Sequence, residues 1–134
     1  MPQKSPRPPR YSPFARLVGL DSLTYEEGCG RCSLQINENS MNINGTVHGG
    51  AIYTMTDVAM GTALYAILDA DERCSTIETN ISYFVAATSG LLTCESRVIH
   101  KTRKLAVVEA EVKNDGRSIA KATGTFYISR AKQA

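Results

Sequence analysis

Between residues 51 and 68 the chain carries a single charge, Asp57. Its neighbours are apolar, small or neutral polar, Tyr53, Thr54, Thr56, Thr62 and Tyr65 being the polar ones. A helix apolar around most of its perimeter must be covered on most sides, so the rest of the chain has to wrap this segment. One unpaired carboxylate there is costly to ionise, and that combination marks function more often than packing. A membrane span needs about 20 apolar residues, close to what is present. An acid near its middle costs roughly 2.5–3.5 kcal/mol on the insertion scale, however, and threonines and glycine dilute the hydropathy. No other run approaches it, so the segment reads as a buried helix of a soluble, non-membrane protein.

With 134 residues the chain has the length of one domain, large enough for a real core. A formal charge of +2 gives no argument for nucleic acid, and no basic stripe interleaves with aromatics. All five prolines fall in the first thirteen residues, among Lys4, Arg7 and Arg10. No apolar core of a signal peptide accompanies them, and the amphipathic pattern of a transit peptide is missing. Residues 1–12 are therefore expected to form an extended, mobile arm and residues 13–134 a single domain, working in the cytoplasm. Cys29-Gly30-Arg31-Cys32 has the spacing of half a zinc site or of a redox pair. Cys74 and Cys94 lie twenty residues apart, so no second pair completes a metal set, and no βαβ unit surrounds the first. Reduced, structural cysteines and no metal are expected.

Residues 13–20 suggest a short helix ending at Gly19. In 22–37, Cys32, Leu34 and Ile36 alternate with Arg31, Ser33, Gln35 and Asn37, the period of a half-buried strand, with Gly28 and Gly30 suggesting a bulge. Residues 37–45 are rich in asparagine and read as loop. After the helix come four strands. Ile77, Thr79, Ile81, Tyr83 and Val85 share one face; then Leu92, Cys94, Ser96 and Val98; then Ala106, Val108, Ala110 and Val112; then Ala120, Ala122, Gly124, Phe126 and Ile128. Thr88-Ser89-Gly90 and Asn114-Asp115-Gly116 supply turns, the second a strong hairpin signal. One strand, one long helix and four antiparallel strands make an α+β fold with the sheet curled around the helix. Ala120, Ala122 and Gly124 would let the two approach closely.

One sheet covers one side of a helix, and a second copy of the chain is the economical cover for the rest. If His48 begins the helix, Asp57 is nine residues on, on the opposite face and roughly 13 Å along the axis. The two can act together only if one comes from each of two subunits.

Asn42-Ile43-Asn44-Gly45-Thr46-Val47-His48-Gly49-Gly50, followed by Asp57 within Met55-Thr56-Asp57-Val58-Ala59, resembles the hotdog-fold acyl-CoA thioesterases of the PaaI-like branch. The likeness runs from about residue 14 to 129 and includes Thr79-Asn80-Ile81-Ser82-Tyr83 and Gly116-Arg117. It implies a hotdog fold and hydrolysis of an acyl-CoA thioester to free acid and CoA, without metal or separate cofactor. It implies that the Gly49 backbone N–H polarises the carbonyl, with Gly50 beside it against the substrate. It implies Asp57 as general base or nucleophile, and His48, Asn42 and Thr76 around the thioester. Arg103 and Lys104, in the basic connection 101–104, match the turn that meets the phosphates of CoA; Thr102 departs from the glycine common there. Assembly as a homodimer, paired into a homotetramer, is likewise implied, with acyl groups ranging from phenylacetyl-like and aromatic to fatty.

The chemistry stands on its own as well. A helix N-terminus presents unpaired N–H groups and partial positive charge where an oxyanion develops. Each residue also has a plainer use: Asp57 bonding a hydroxyl, His48 as a cap, Asn42 as a turn former, the basic run as a solvated loop. Two rivals remain, a hydratase or dehydratase on the same fold and a non-catalytic acyl-CoA-binding module. Tyr53, Met55, Met60, Tyr83 and Phe84 are candidates to line an apolar slot.

Overall fold

A computed structural model describes residues 11–131. The arm expected over residues 1–12 lies outside them except for Tyr11 and Ser12, and both of these are tied down. The Tyr11 hydroxyl accepts a hydrogen bond from the Leu23 N–H. Ser12 caps the first helix, α1 (Pro13–Val18), its Oγ accepting from the Ala15 N–H at 3.1 Å. Pro13 opens that helix, and Gly19, left-handed at φ 97°, closes it as the sequence suggested.

Residues 22–37 form two strands where one bulged strand was expected. β1 (Leu20–Glu26) and β2 (Cys29–Gln35) pair antiparallel, and Glu27 and Gly28 turn the chain between them. Gly28, at φ +72°, makes the turn, and the irregularity falls in β1, between Asp21 and Thr24. The long helix α2 (Gly49–Tyr65) stops short of residue 68, because the chain turns at Ala66 and Ile67 while Leu68 stays buried. β3 (Glu72–Tyr83), β4 (Leu91–Lys101), β5 (Leu105–Asn114) and β6 (Arg117–Arg130) follow. The β5–β6 hairpin turns on Asp115 and Gly116, both at positive φ, as the tightest two-residue turn requires.

The six strands form one antiparallel sheet in the order β1-β2-β4-β5-β6-β3, with α2 on its concave face. Leu34, Met55, Met60, Leu64, Leu92 and Phe126 fill the space between them. Helix and sheet come closest at β2 rather than at the small residues of β6. A Cβ placed on Gly30 would stand 2.4 Å from the Ala59 carbonyl oxygen and 2.8 Å from the Ala63 nitrogen. On Gly124 it would meet only side chains, Met60 and Phe126. The buried Ser96 Oγ pins the same spot, 2.6 Å from the Ala59 oxygen and 3.1 Å from that of Gly30.

Among the described residues β3 is the last strand of the sheet. Its register with β6 slips between Thr76 and Glu78. That bulge turns Ile77 outward, 56% exposed, against the inward position its alternation suggested. The stripe of α2 nearest this edge, at four-residue spacing, is Gly49, Tyr53, Asp57 and Gly61. Tyr53 is exposed, Asp57 half-buried, and a Cβ on Gly61 would touch nothing. The described residues thus cover most of the helix and leave one stripe partly open. Among the described residues no helix is long and apolar enough to cross a membrane.

Gly30→Ala forces a methyl group onto helix backbone that cannot swing aside. It is expected to lower unfolding stability by about 2–3 kcal/mol, read as a lower urea midpoint at unchanged m-value.

Candidate active site

The loop before α2 holds its own shape. The Asn42 side chain organises it: Oδ1 accepts from the N–H groups of Asn44 (2.9 Å) and Thr46 (3.1 Å), and Nδ2 donates to the Thr46 Oγ1 (2.8 Å). The backbone closes the turn from Asn42 N–H to the Thr46 carbonyl at 2.7 Å. His48 N–H then bonds the Ser40 carbonyl and Val47 N–H that of Ala87, both at 2.8 Å, so the helix start is held from two sides.

His48 is the N-cap. Its Nδ1 accepts from the Gly50 N–H at 2.7 Å, which leaves the ring proton on Nε2. The N–H groups of Ala51 and Ile52 reach the His48 carbonyl. Of the first-turn donors, the Gly49 N–H alone meets no acceptor among the described residues. Beside it opens a groove of about 260 Å³, lined by Val47, Ile52, Tyr83, Phe84 and Val85 among others. Tyr83 lies against Gly49. Its hydroxyl donates to the Gly49 carbonyl at 2.8 Å, and a Cβ on Gly49 would come within 3.2 Å of the Tyr83 ring. Burial, and then the nearby Tyr53, push the Tyr83 phenol above its ordinary value, so it remains a donor through neutral pH. Tyr83 and Phe84 line the slot as expected, whereas Met55 and Met60 are fully buried core.

Asp57 sits two turns on. Its Oδ1 accepts from the Thr76 hydroxyl at 2.8 Å, and no cation pairs with it among the described residues. Eight residues of helix put it about 12 Å along the axis from Gly49. Thr76 faces Phe126, and Phe126 faces Ala106, so Ala106 lies about two strand spacings, some 10 Å, from Thr76, and the turn at 101–104 lies further along the strand. Arg103 and Lys104 are exposed there without an ionic partner among the described residues. Thr102 closes that turn, its N–H on the Leu105 carbonyl at 2.7 Å and its Oγ1 accepting from the Leu105 N–H at 3.1 Å. The structure gathers two candidate half-sites: Asn42, His48, Gly49 and Gly50 at the start of α2, and Asp57 with Thr76 at its middle. Arg103 and Lys104 stand apart from both, in the turn at 101–104.

A sequence profile of the thioesterase superfamily matches residues 44–121, from the loop before α2 into β6. The chain belongs to the thioesterase superfamily. Its structure resembles that of the conserved protein PA5202 of Pseudomonas aeruginosa, 35% identical, with a TM-score of 0.86 over 89% of this chain and 95% of that one. It also resembles thioesterase HI1161 of Haemophilus influenzae at a TM-score of 0.85 and 14% identity, covering 90% and 85% of the two chains. A mutant form of the phenylacetic acid degradation protein PaaI of Thermus thermophilus matches at 0.80 and 22% identity, over 87% and 98%. The thioesterase is thus a thioester hydrolase with the hotdog arrangement of sheet and helix, as its motifs implied.

Sequence reasoning saw Tyr83 only as one of several slot residues. Its pairing with Gly49 joins positions 34 residues apart, which no local pattern reveals. The Cys29–Cys32 pair, conversely, dissolves in the thioesterase. Three residues apart on β2, the two thiols point to opposite faces, and Cys32 lies buried directly across from Cys94. The hydrogen bond with Cys32, then burial, holds the Cys94 thiol well above its usual range. Among the described residues no group of three or more His, Cys, Asp or Glu side chains is placed to hold a metal ion. A larger hollow, about 480 Å³, lies on the outer sheet face among ion pairs such as Arg31–Glu95 and Arg97–Glu109, away from both half-sites.

A bulky thiol reagent at pH 8 is expected to modify Cys29 in the native protein, and Cys32 and Cys94 only after unfolding. Peptide mapping of the labelled chain reads this directly.

Proposed function

We propose that this thioesterase hydrolyses acyl-CoA thioesters to free acid and CoA at a site completed by two copies of the chain. The observation that carries the reading is the unpaired Gly49 N–H at a helix start, opening on an apolar groove. That amide and the helix dipole stabilise negative charge on the thioester oxygen as the carbonyl carbon becomes tetrahedral. Asp57 from the second copy, steadied by Thr76, either takes a proton from the attacking water or attacks the carbonyl itself. With Asp57 as base, the C–S bond breaks, the acyl group leaves as the acid, and the proton taken from water passes to the thiolate of CoA. With Asp57 as nucleophile, the C–S bond breaks to leave an acyl–Asp57 anhydride, which a water then cleaves, freeing the acid and supplying the proton of the CoA thiol. His48 and Asn42 hold the Gly49 end in shape. Arg103 and Lys104 receive the phosphates of CoA, as fork and point charge.

The partly open stripe of α2 and the place of β3 at the end of the sheet favour a homodimer in which the helices lie side by side and antiparallel. That places each Asp57 toward its partner's Gly49. Two such dimers form a tetramer, and the assembly works in the cytoplasm without metal or separate cofactor.

Asp57→Asn is expected to cut thiol release from acyl-CoA esters by roughly a hundred- to ten-thousand-fold while the fold and ester binding persist. Aromatic, short and long acyl esters should be screened together, and an enoyl ester included. Undiminished release would remove Asp57 from the chemistry; binding without turnover in the wild type would favour a binding module; hydration of the enoyl ester would favour a hydratase. Sedimentation velocity at micromolar concentration is expected to show a dimer or larger species. A monomer would count against the shared site.

A further inference from the structure

A pair of adjacent glycines is the most mobile backbone a chain can present, yet an oxyanion donor works only if its direction is fixed in advance. The Gly49–Gly50 peptide is held at both of its polar ends. Its carbonyl, on Gly49, accepts from the Tyr83 hydroxyl at 2.8 Å. Its N–H, on Gly50, donates to the His48 Nδ1 at 2.7 Å. The preceding peptide is anchored through the His48 carbonyl, which receives Ala51 and Ile52 at 3.0 and 3.4 Å. The free Gly49 N–H lies in that preceding plane, and holding the plane after it keeps the glycine from swivelling between the two and turning the amide. A Cβ on Gly49 would press on the Tyr83 ring at 3.2 Å, so a larger residue there would have to move the ring by a few tenths of an ångström.

We propose that Tyr83 is a positioning residue: its hydroxyl, paired with the His48 cap, clamps the Gly49–Gly50 peptide and aims the Gly49 amide at the thioester carbonyl. Tyr83 joins the end of β3 to the start of α2, so the sheet rather than the helix alone sets the donor. The inference rests on the hydrolase reading above, and its test separates the two.

Tyr83→Phe keeps the ring and removes only the hydroxyl. Backbone amide exchange by NMR, with Ala59 as internal control, and thiol-release kinetics are measured on wild type and variant. Gly50 exchange is expected to quicken, kcat to fall about tenfold and KM to stay within about twofold, with the melting temperature nearly unchanged. Gly50 exchange equal to wild type overturns the clamp. Faster exchange with undiminished kcat overturns the positioning role. Absence of thiol release in the wild type sinks the hydrolase reading instead, and the exchange ratio alone then decides for or against the clamp.

Discussion

The close contact between β2 and the middle of α2 is the constraint on which the rest of the molecule depends. Gly30 lets the strand reach the helix backbone, and the Ser96 hydroxyl ties the two there. A strand so near one flank of the helix fixes the helix's rotation about its own axis. That rotation decides which stripe is left over, and the stripe left over carries Gly49, Tyr53, Asp57 and Gly61. Sheet packing therefore selects the functional face. The burial of Met55, Ala59, Met60 and Ala63, all at 0% exposure, shows how completely the other faces are used.

The periodicities legible in the sequence are those with a one-sided environment. Ala106, Val108 and Val112 in β5 and Ala120, Ala122 and Phe126 in β6 face a helix on one side and solvent on the other, so alternation names their faces correctly. β3 lies at the edge, where one bulge at Ile77 is cheap, and the pattern slips there. The β1–β2 hairpin was missed for a related reason. Glu27 and Gly28 make a turn so short that the strands on either side read as one irregular strand. The helix end was overrun because Leu68 is buried by the turn that follows rather than by the helix itself.

The site was legible in its parts and not in its assembly. His48-Gly49-Gly50 and Asp57 announce themselves through a helix start and a lone acid in an apolar run. Their separation within one protomer follows from helix rise alone. What no spacing reports is that Tyr83 reaches Gly49, since that depends on how β3 sits against the start of α2. The Cys29–Cys32 spacing misleads in the opposite sense. Its chemistry presumes a loop or helix, and on a strand the same spacing separates the thiols.

The distance between Asp57 and Gly49 along one helix has a physical rationale of its own. A carboxylate in the first turn of α2 would be drawn to the positive end of that helix and would itself bond the free Gly49 amide. The donor needed for a developing oxyanion would then be filled before any substrate arrived. A neutral imidazole avoids this. His48 satisfies the Gly50 N–H through Nδ1 and leaves the neighbouring donor open. Moving the acid two turns down the helix keeps it clear of its own amide. In the proposed dimer the same two groups meet again only across a gap wide enough for a thioester, so that the proposed need for two chains follows from keeping an acid and an oxyanion donor from neutralising each other.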